Sequence, residues 1–153
     1  MMKKHFSLSA LLLATMLLLL SPASSFAAPN VSPTAVAPPF TGISIQGVAS
    51  EGNGYVFNNA PLSGTKGAIA IRVDGTIRSG SLELLNQNGV VVATGQFAPP
   101  KYITDGSGTV VSTIYYRGFS LSSFKSGGIR VRAENYTTPY LSRSADTIIT
   151  VIK

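Results

Sequence analysis

Residues 81–97 read SLELLNQNGVVVATGQF, and this stretch decides the fold class. Leu82 and Leu84 flank Glu83 at the two-residue period of a strand that turns one face to a core. Asn86-Gln87-Asn88-Gly89 then supplies residues that tolerate φ > 0, which closes a hairpin onto a strand over residues 90–97. The same period spreads outward in both directions. Ile69, Ile71 and Val73 share one face of residues 68–73, Arg72 and Asp74 project to the other, and Asp74-Gly75 offers a turn. Ile43 and Ile45 alternate with Ser44 and Gln46 in a first strand, and residues 55–57 read as a short second piece. On the other side Pro99-Pro100 stops a strand, residues 105–108 make a tight connection, and residues 109–119 form a long β-branched and aromatic strand. Residues 121–128 read as a single helical turn or corner. Beyond it Ile129, Val131 and Ala133 alternate with Arg130, Arg132 and Glu134, and residues 147–152 form the closing strand. Sustained helical periodicity is missing from residues 40–153. About seven short strands with turns between them predict an all-β domain, a single antiparallel β-sandwich, with a small β-barrel as the alternative.

The N-terminal part reads differently. Lys3 and Lys4 open a basic start, residues 6–20 are an apolar run, Pro22 breaks it, and Ser25 and Ala27 stand where a signal peptidase reads small side chains. Residues 1–27 are therefore expected to be a signal peptide, too short in its apolar run to remain as a membrane anchor. Residues 28–39 hold four prolines, which fix φ and lack amide donors, so an extended Pro/Ala-rich leader is expected before a β-sandwich domain over residues 40–153. The expected localisation is secreted and extracellular, with no stable membrane insertion after cleavage.

Removal of that segment takes His5, the only histidine, and the chain has no cysteine. Imidazole-based triads, thiol chemistry and most zinc sites are excluded with them. Cleavage after Ala27 takes 27 of the 153 residues and leaves 126, enough for one domain to bury an ordinary core without disulfides. Loss of Lys3 and Lys4 from the 12 basic residues leaves 10 against 6 acids, scattered without a continuous basic run. Nucleic acid is not an expected partner. The mild positive charge serves solubility and also suits anionic envelope polymers.

The carboxylates are Glu51, Asp74, Glu83, Asp105, Glu134 and Asp146. A glycosidase needs two across one cleft, one of them with a raised pKa. Asp74 and Asp105 sit in turn contexts that let them cap local amides, while Glu83 and Glu134 alternate with core residues and are expected to face water. The loop around Asp105 lacks the ligand spacing of a calcium site, and no phosphate-binding glycine motif is found, so no cofactor and no metal are expected. Tyrosines give the more informative surface. Alternation sends Tyr115, Arg117 and Phe119 to one side of a strand and Tyr116 to the other, and Tyr102, Tyr136 and Tyr140 stand near Pro or Gly in loops or strand ends. Rings with a hydroxyl beside Arg, Asn and Thr suit sugars or protein surfaces. Tyr102, Tyr115, Tyr116, Arg117, Tyr136 and Tyr140 are the candidate binding residues, against the alternative that they pack between strands.

Residues 119–134, FSLSSFKSGGIRVRAE, resemble the strand, corner, glycine and strand that precede the penultimate strand of bacterial immunoglobulin-like modules, with Ile129 where those modules carry a tyrosine. The whole chain also resembles small exported single-domain proteins of Gram-positive bacteria. These likenesses imply an immunoglobulin-like sandwich acting outside the cell. The function expected is a non-enzymatic binding or adhesion module whose partner is an envelope or matrix polysaccharide or an extracellular protein. A structural role is the alternative, since the β-prone runs at residues 90–92 and 147–152 suit self-association between sheet edges. A carboxylate-based hydrolase is the second alternative.

Overall fold

The computed structural model describes residues 37–153. The expected signal peptide, and all but the last three residues of the expected leader, lie outside the described residues. The domain is all β, with strands β1 (Gly42–Ser50), β2 (Lys66–Asp74), β3 (Glu83–Leu85), β4 (Val91–Val92), β5 (Gly95–Thr104), β6 (Val110–Ser120), β7 (Gly127–Glu134) and β8 (Ser142–Ile149). They form two antiparallel four-stranded sheets, ordered β1-β2-β6-β5 and β4-β3-β7-β8, stacked as a β-sandwich.

Alternation fixes which side chains meet between the sheets. Ile69, Ile71 and Val73 of β2 form one buried cluster with Leu84, Val92, Ile129, Val131 and Ile149 of the second sheet. Each such side chain contributes about 1.5–3 kcal/mol relative to exposure. Ala68 and Ala70, on the opposite face of β2, are buried as well. Their cover is the loop after β1. There the Phe57 carbonyl stands 2.9 Å from where a Cβ on Gly47 would lie. The Asn59 side chain accepts the Val48 amide at 3.1 Å, in the same loop.

Local chemistry explains the connections. Asn86 Oδ1 accepts the amides of Asn88 and Val90 at 3.0 and 3.1 Å, and Gly89 sits at φ +73°, so the expected β3–β4 hairpin closes. Asp105 Oδ1 accepts the amides of Ser107 and Thr109 in the β5–β6 turn. The corner after β6 is a 3-10 turn, Leu121–Ser123, that buries Leu121 and Phe124. Pro38 is tied to the domain through its carbonyl, which accepts the Thr76 amide at 2.9 Å.

Four details depart from the sequence reading. Residues 55–57 form no strand, because Tyr55 takes a left-handed φ of 59° and its amide donates to the Ser50 carbonyl. Residues 90–97 are not one strand, since the chain leaves the second sheet after Val92, crosses on Ala93-Thr94, and joins the first at Gly95. Pro99-Pro100 does not end β5. Its register against β6 shifts between Ala98 and Lys101, which lets an edge strand carry two residues that cannot donate. The last strand begins at Ser142, and the segment beyond it instead bridges Leu62 to Val151.

Candidate functional site

Strand β6 organises the surface. Its register against β2 places Thr113, Tyr115, Arg117 and Phe119 opposite Val73, Ile71, Ile69 and Gly67, on the inner face. Ser112, Ile114, Tyr116 and Gly118 stand opposite Asp74, Arg72, Ala70 and Ala68, on the outer face. The six residues singled out from the sequence therefore fall into three groups. Tyr102 of β5 pairs with Thr113 and so shares the inner face with Tyr115 and Arg117. Tyr102 is nonetheless 62% exposed, and it lies within a strand rather than a loop. The second sheet ends in the short strands β3 and β4, too small to roof the ten residues of β5. Tyr115 packs partly against the core, so it is not a free contact residue. Tyr116 points the other way. Tyr136 and Tyr140 belong to the β7–β8 loop, where Arg78 stacks 5.1 Å over the Tyr140 ring.

Around Tyr116 the outer face carries a chain of rings. Tyr116 lies 5.6 Å from Phe57, Phe57 lies 6.2 Å from Phe97, and Phe97 lies 4.9 Å from Tyr55. Beside them runs an open groove of about 660 Å³, walled by Tyr55 and Phe97, with Lys66 on its lining. Its floor holds bare backbone, because Gly95 of β5 pairs with Gly118 of β6 and neither carries a side chain, while the buried Gly67 of β2 borders it with its inner side covered by the Phe119 ring. A flat ring or an extended chain can rest directly on such a floor, with apolar walls and a cation in reach. Tyr55 is held in the left-handed region, at a cost of order 1–2 kcal/mol for a bulky residue, by the Ser50 carbonyl and the preceding Gly54 at φ +64°. That strain places its ring against Phe97.

Tyr55, Phe57, Phe97, Lys66 and the three glycines were absent from the sequence-derived set. One signal lay in the order of residues 52–59, GNGYVFNN, where two aromatics stand in a loop of turn formers with no core to fill.

The carboxylates are all engaged locally. Asp74 accepts from Ser112 Oγ at 2.5 Å and from Arg72 Nε at 2.8 Å, in place of the expected amide cap, and both partners hold its pKa below the ordinary value, Ser112 first. Asp146 is lowered by the Arg130 guanidinium, at 2.7 and 3.0 Å. Asp105 is lowered by the Ser107 hydroxyl and then by backbone amides, and Glu51 by the Thr65 amide and hydroxyl. Glu83 pairs with Arg132, and Glu134 with Arg78. Among the described residues no group of three or more acids could hold a metal ion, and no helix is long and apolar enough to cross a membrane. No protein-family model matches the sequence, and no curated protein matches it.

Proposed function

We propose that this chain is a secreted, non-enzymatic binding module that contacts an envelope or matrix polysaccharide or an extracellular protein through the outer face of β2, β5 and β6. The observation that carries the reading is the glycine-floored groove between Tyr55 and Phe97, with Lys66 beside it. Charge supports the same reading. Four arginines are paired to acids, whereas Lys66, Lys101, Arg117, Lys125, Arg143 and Lys153 have no ion-pair partner within 4.0 Å among the described residues. The surface thus carries excess positive charge suited to a polymer bearing anions. Glu51, Asp74, Asp105 and Asp146 are all shifted down, opposite to the raised value that the acid of a carboxylate hydrolase requires.

The strand order also supports an immunoglobulin-like assignment. In the lettering of that fold, β1-β2-β6-β5 corresponds to A-B-E-D and β4-β3-β7-β8 to C′-C-F-G. Export rests on residues 1–27 and is tested by N-terminal mass spectrometry of the protein recovered from medium, where a chain starting at Ala28 is expected. Binding is tested by sedimentation with insoluble cell-wall polysaccharide. Saturable co-sedimentation that falls at least tenfold in Tyr55→Ala and Phe97→Ala supports the groove, and equal retention of both variants rejects it.

One observation favours self-association as a second reading. Strand β8 is a sheet edge eight residues long whose Ile148 is 77% exposed. Oligomers that grow with concentration in light scattering support it.

A further inference from the structure

Arg117, which the register of β6 against β2 assigns to the inner face, is a guanidinium without an acid. Its Nε is buried and has no hydrogen-bond acceptor. Arg72, Arg78, Arg130 and Arg132 each meet a carboxylate, and Arg143, which also lacks one, is exposed to water. A guanidinium cannot shed its proton to escape this position, so its charge stays and the buried donor carries its full desolvation penalty. What surrounds it is a small cavity of about 110 Å³, lined by Gln96, Ala98, Pro100, Tyr115, Tyr116 and Arg117 itself. Gln96 lies directly across from Arg117 in the β5–β6 register, and the Tyr115 ring centre is 5.9 Å from the guanidinium carbon. The cavity combines a fixed positive charge, an amide and a tyrosine, with no carboxylate among its lining residues.

We infer that Arg117, with Gln96 and Tyr115, forms a subsite for an oxyanion, the carboxylate or phosphate group of an acidic ligand. The planar fork of the guanidinium presents parallel N–H donors, and an acceptor entering the cavity satisfies the orphaned Nε while neutralising the charge. Tyr115 supplies a ring for the guanidinium to lie against, which holds the fork in one orientation. Gln96 lines both the groove and this cavity, whereas Arg117 lines only the cavity, so the Arg117 Nε–H is the reporter that separates the two sites.

The test is a titration of isotopically labelled protein, followed at the Arg117 Nε–H resonance, with sodium acetate, sodium glucuronate and inorganic phosphate at constant ionic strength, and glucose as the neutral control. The resonance is identified by its loss in Arg117→Lys. Saturable movement with a Kd on the order of 10 mM is expected, in keeping with ligands of few atoms. Glucose is expected to leave it in place. Response to acetate and glucuronate assigns the site to carboxylates, and response to phosphate alone assigns it to phosphoryl groups. Arg117→Lys keeps the charge without the fork, and the Gln96 side-chain amide is expected to respond at least tenfold more weakly there. No saturation by any anion to 100 mM overturns the inference, as does a long-lived water bonded to Nε–H that persists through every titration. Both decisive readings come from the wild-type protein, so they hold even where a variant folds poorly.

Discussion

Two glycines of the groove are expected to respond to the same substitution in opposite directions. At Gly118 a Cβ meets Phe97 Cβ at 3.7 Å and the Gly67 carbonyl at 3.8 Å, ordinary van der Waals distances, and the residue's φ does not lie in the left-handed region. Gly118→Ala therefore removes unfolded-state freedom without native strain, which stabilises by about 0.4–1 kcal/mol. At Gly67 the Cβ falls 2.5 Å from one ring carbon of Phe119 and 2.6 Å from another. That ring cannot retreat, because it is buried and packed 4.7 Å from Phe124. Gly67→Ala is expected to cost about 1–3 kcal/mol, the usual range for overpacking. For a domain of this size about 4 °C of Tm corresponds to each kcal/mol. Thermal unfolding followed by circular dichroism should then show Gly118→Ala about 2–4 °C above wild type and Gly67→Ala about 4–12 °C below. The reverse order refutes the register of β2, β5 and β6, since a slip of one residue exchanges the faces on which these glycines stand.

The lowered pKa values of Glu51, Asp74, Asp105 and Asp146 give stability that is present above the unfolded carboxylate values near 4 and is lost as pH falls through the lower folded ones. Denaturant midpoints are expected to stay level from about pH 5.5 to 7.5, where no described side chain is a histidine, and to decline below about pH 4; a step centred near pH 6 contradicts this. Ser112→Ala removes the first cause of the Asp74 shift, so that variant should lose less of its stability between pH 5 and pH 2 than wild type does. The Arg130–Asp146 pair is more than half exposed on both sides, and Asp146→Ala is expected to change stability by no more than about 1 kcal/mol, with a larger loss in chemical denaturation arguing for a buried role. Replacing Pro99 and Pro100 with Val restores donors to the β5 edge, and light scattering should register more self-association than in wild type; an unchanged monomer shows that the prolines do not guard that edge.

The sandwich was legible in the sequence because its signals are local. Ile69, Ile71 and Val73 repeat at the strand period, Asn86 and Gly89 make their own turn, and Leu121 and Phe124 mark a corner by being apolar within a serine-rich turn. The crossing between sheets at Ala93-Thr94 was not legible, because the hydrophobic run before it suits either sheet and only packing decides where the chain departs. Nor did Pro99-Pro100 announce a continuing strand, since an edge tolerates missing donors that a central strand does not. The tyrosine faces followed from parity, so Tyr115 and Tyr116 separated as expected. Which face stays open to solvent depends on the lengths of β3 and β4 and on where residues 53–60 fold, and both are tertiary facts. That is why Tyr55, Phe57 and Phe97 emerged only with the structure, and why Tyr136 and Tyr140 fall in the β7–β8 loop rather than on β6.

The role proposed for the outer face of β2, β5 and β6 is to bind a polymer without transforming it. Its most direct test is chemical-shift mapping of the labelled domain against soluble fragments of cell-wall polysaccharide, with the fragments analysed by mass spectrometry afterwards. Saturable shifts grouped on Tyr55, Lys66, Gly67, Gly95, Phe97 and Gly118 are expected, with every fragment recovered intact. Shifts confined to the Arg130–Asp146 face of the second sheet, or fragments shortened by the protein, would contradict it.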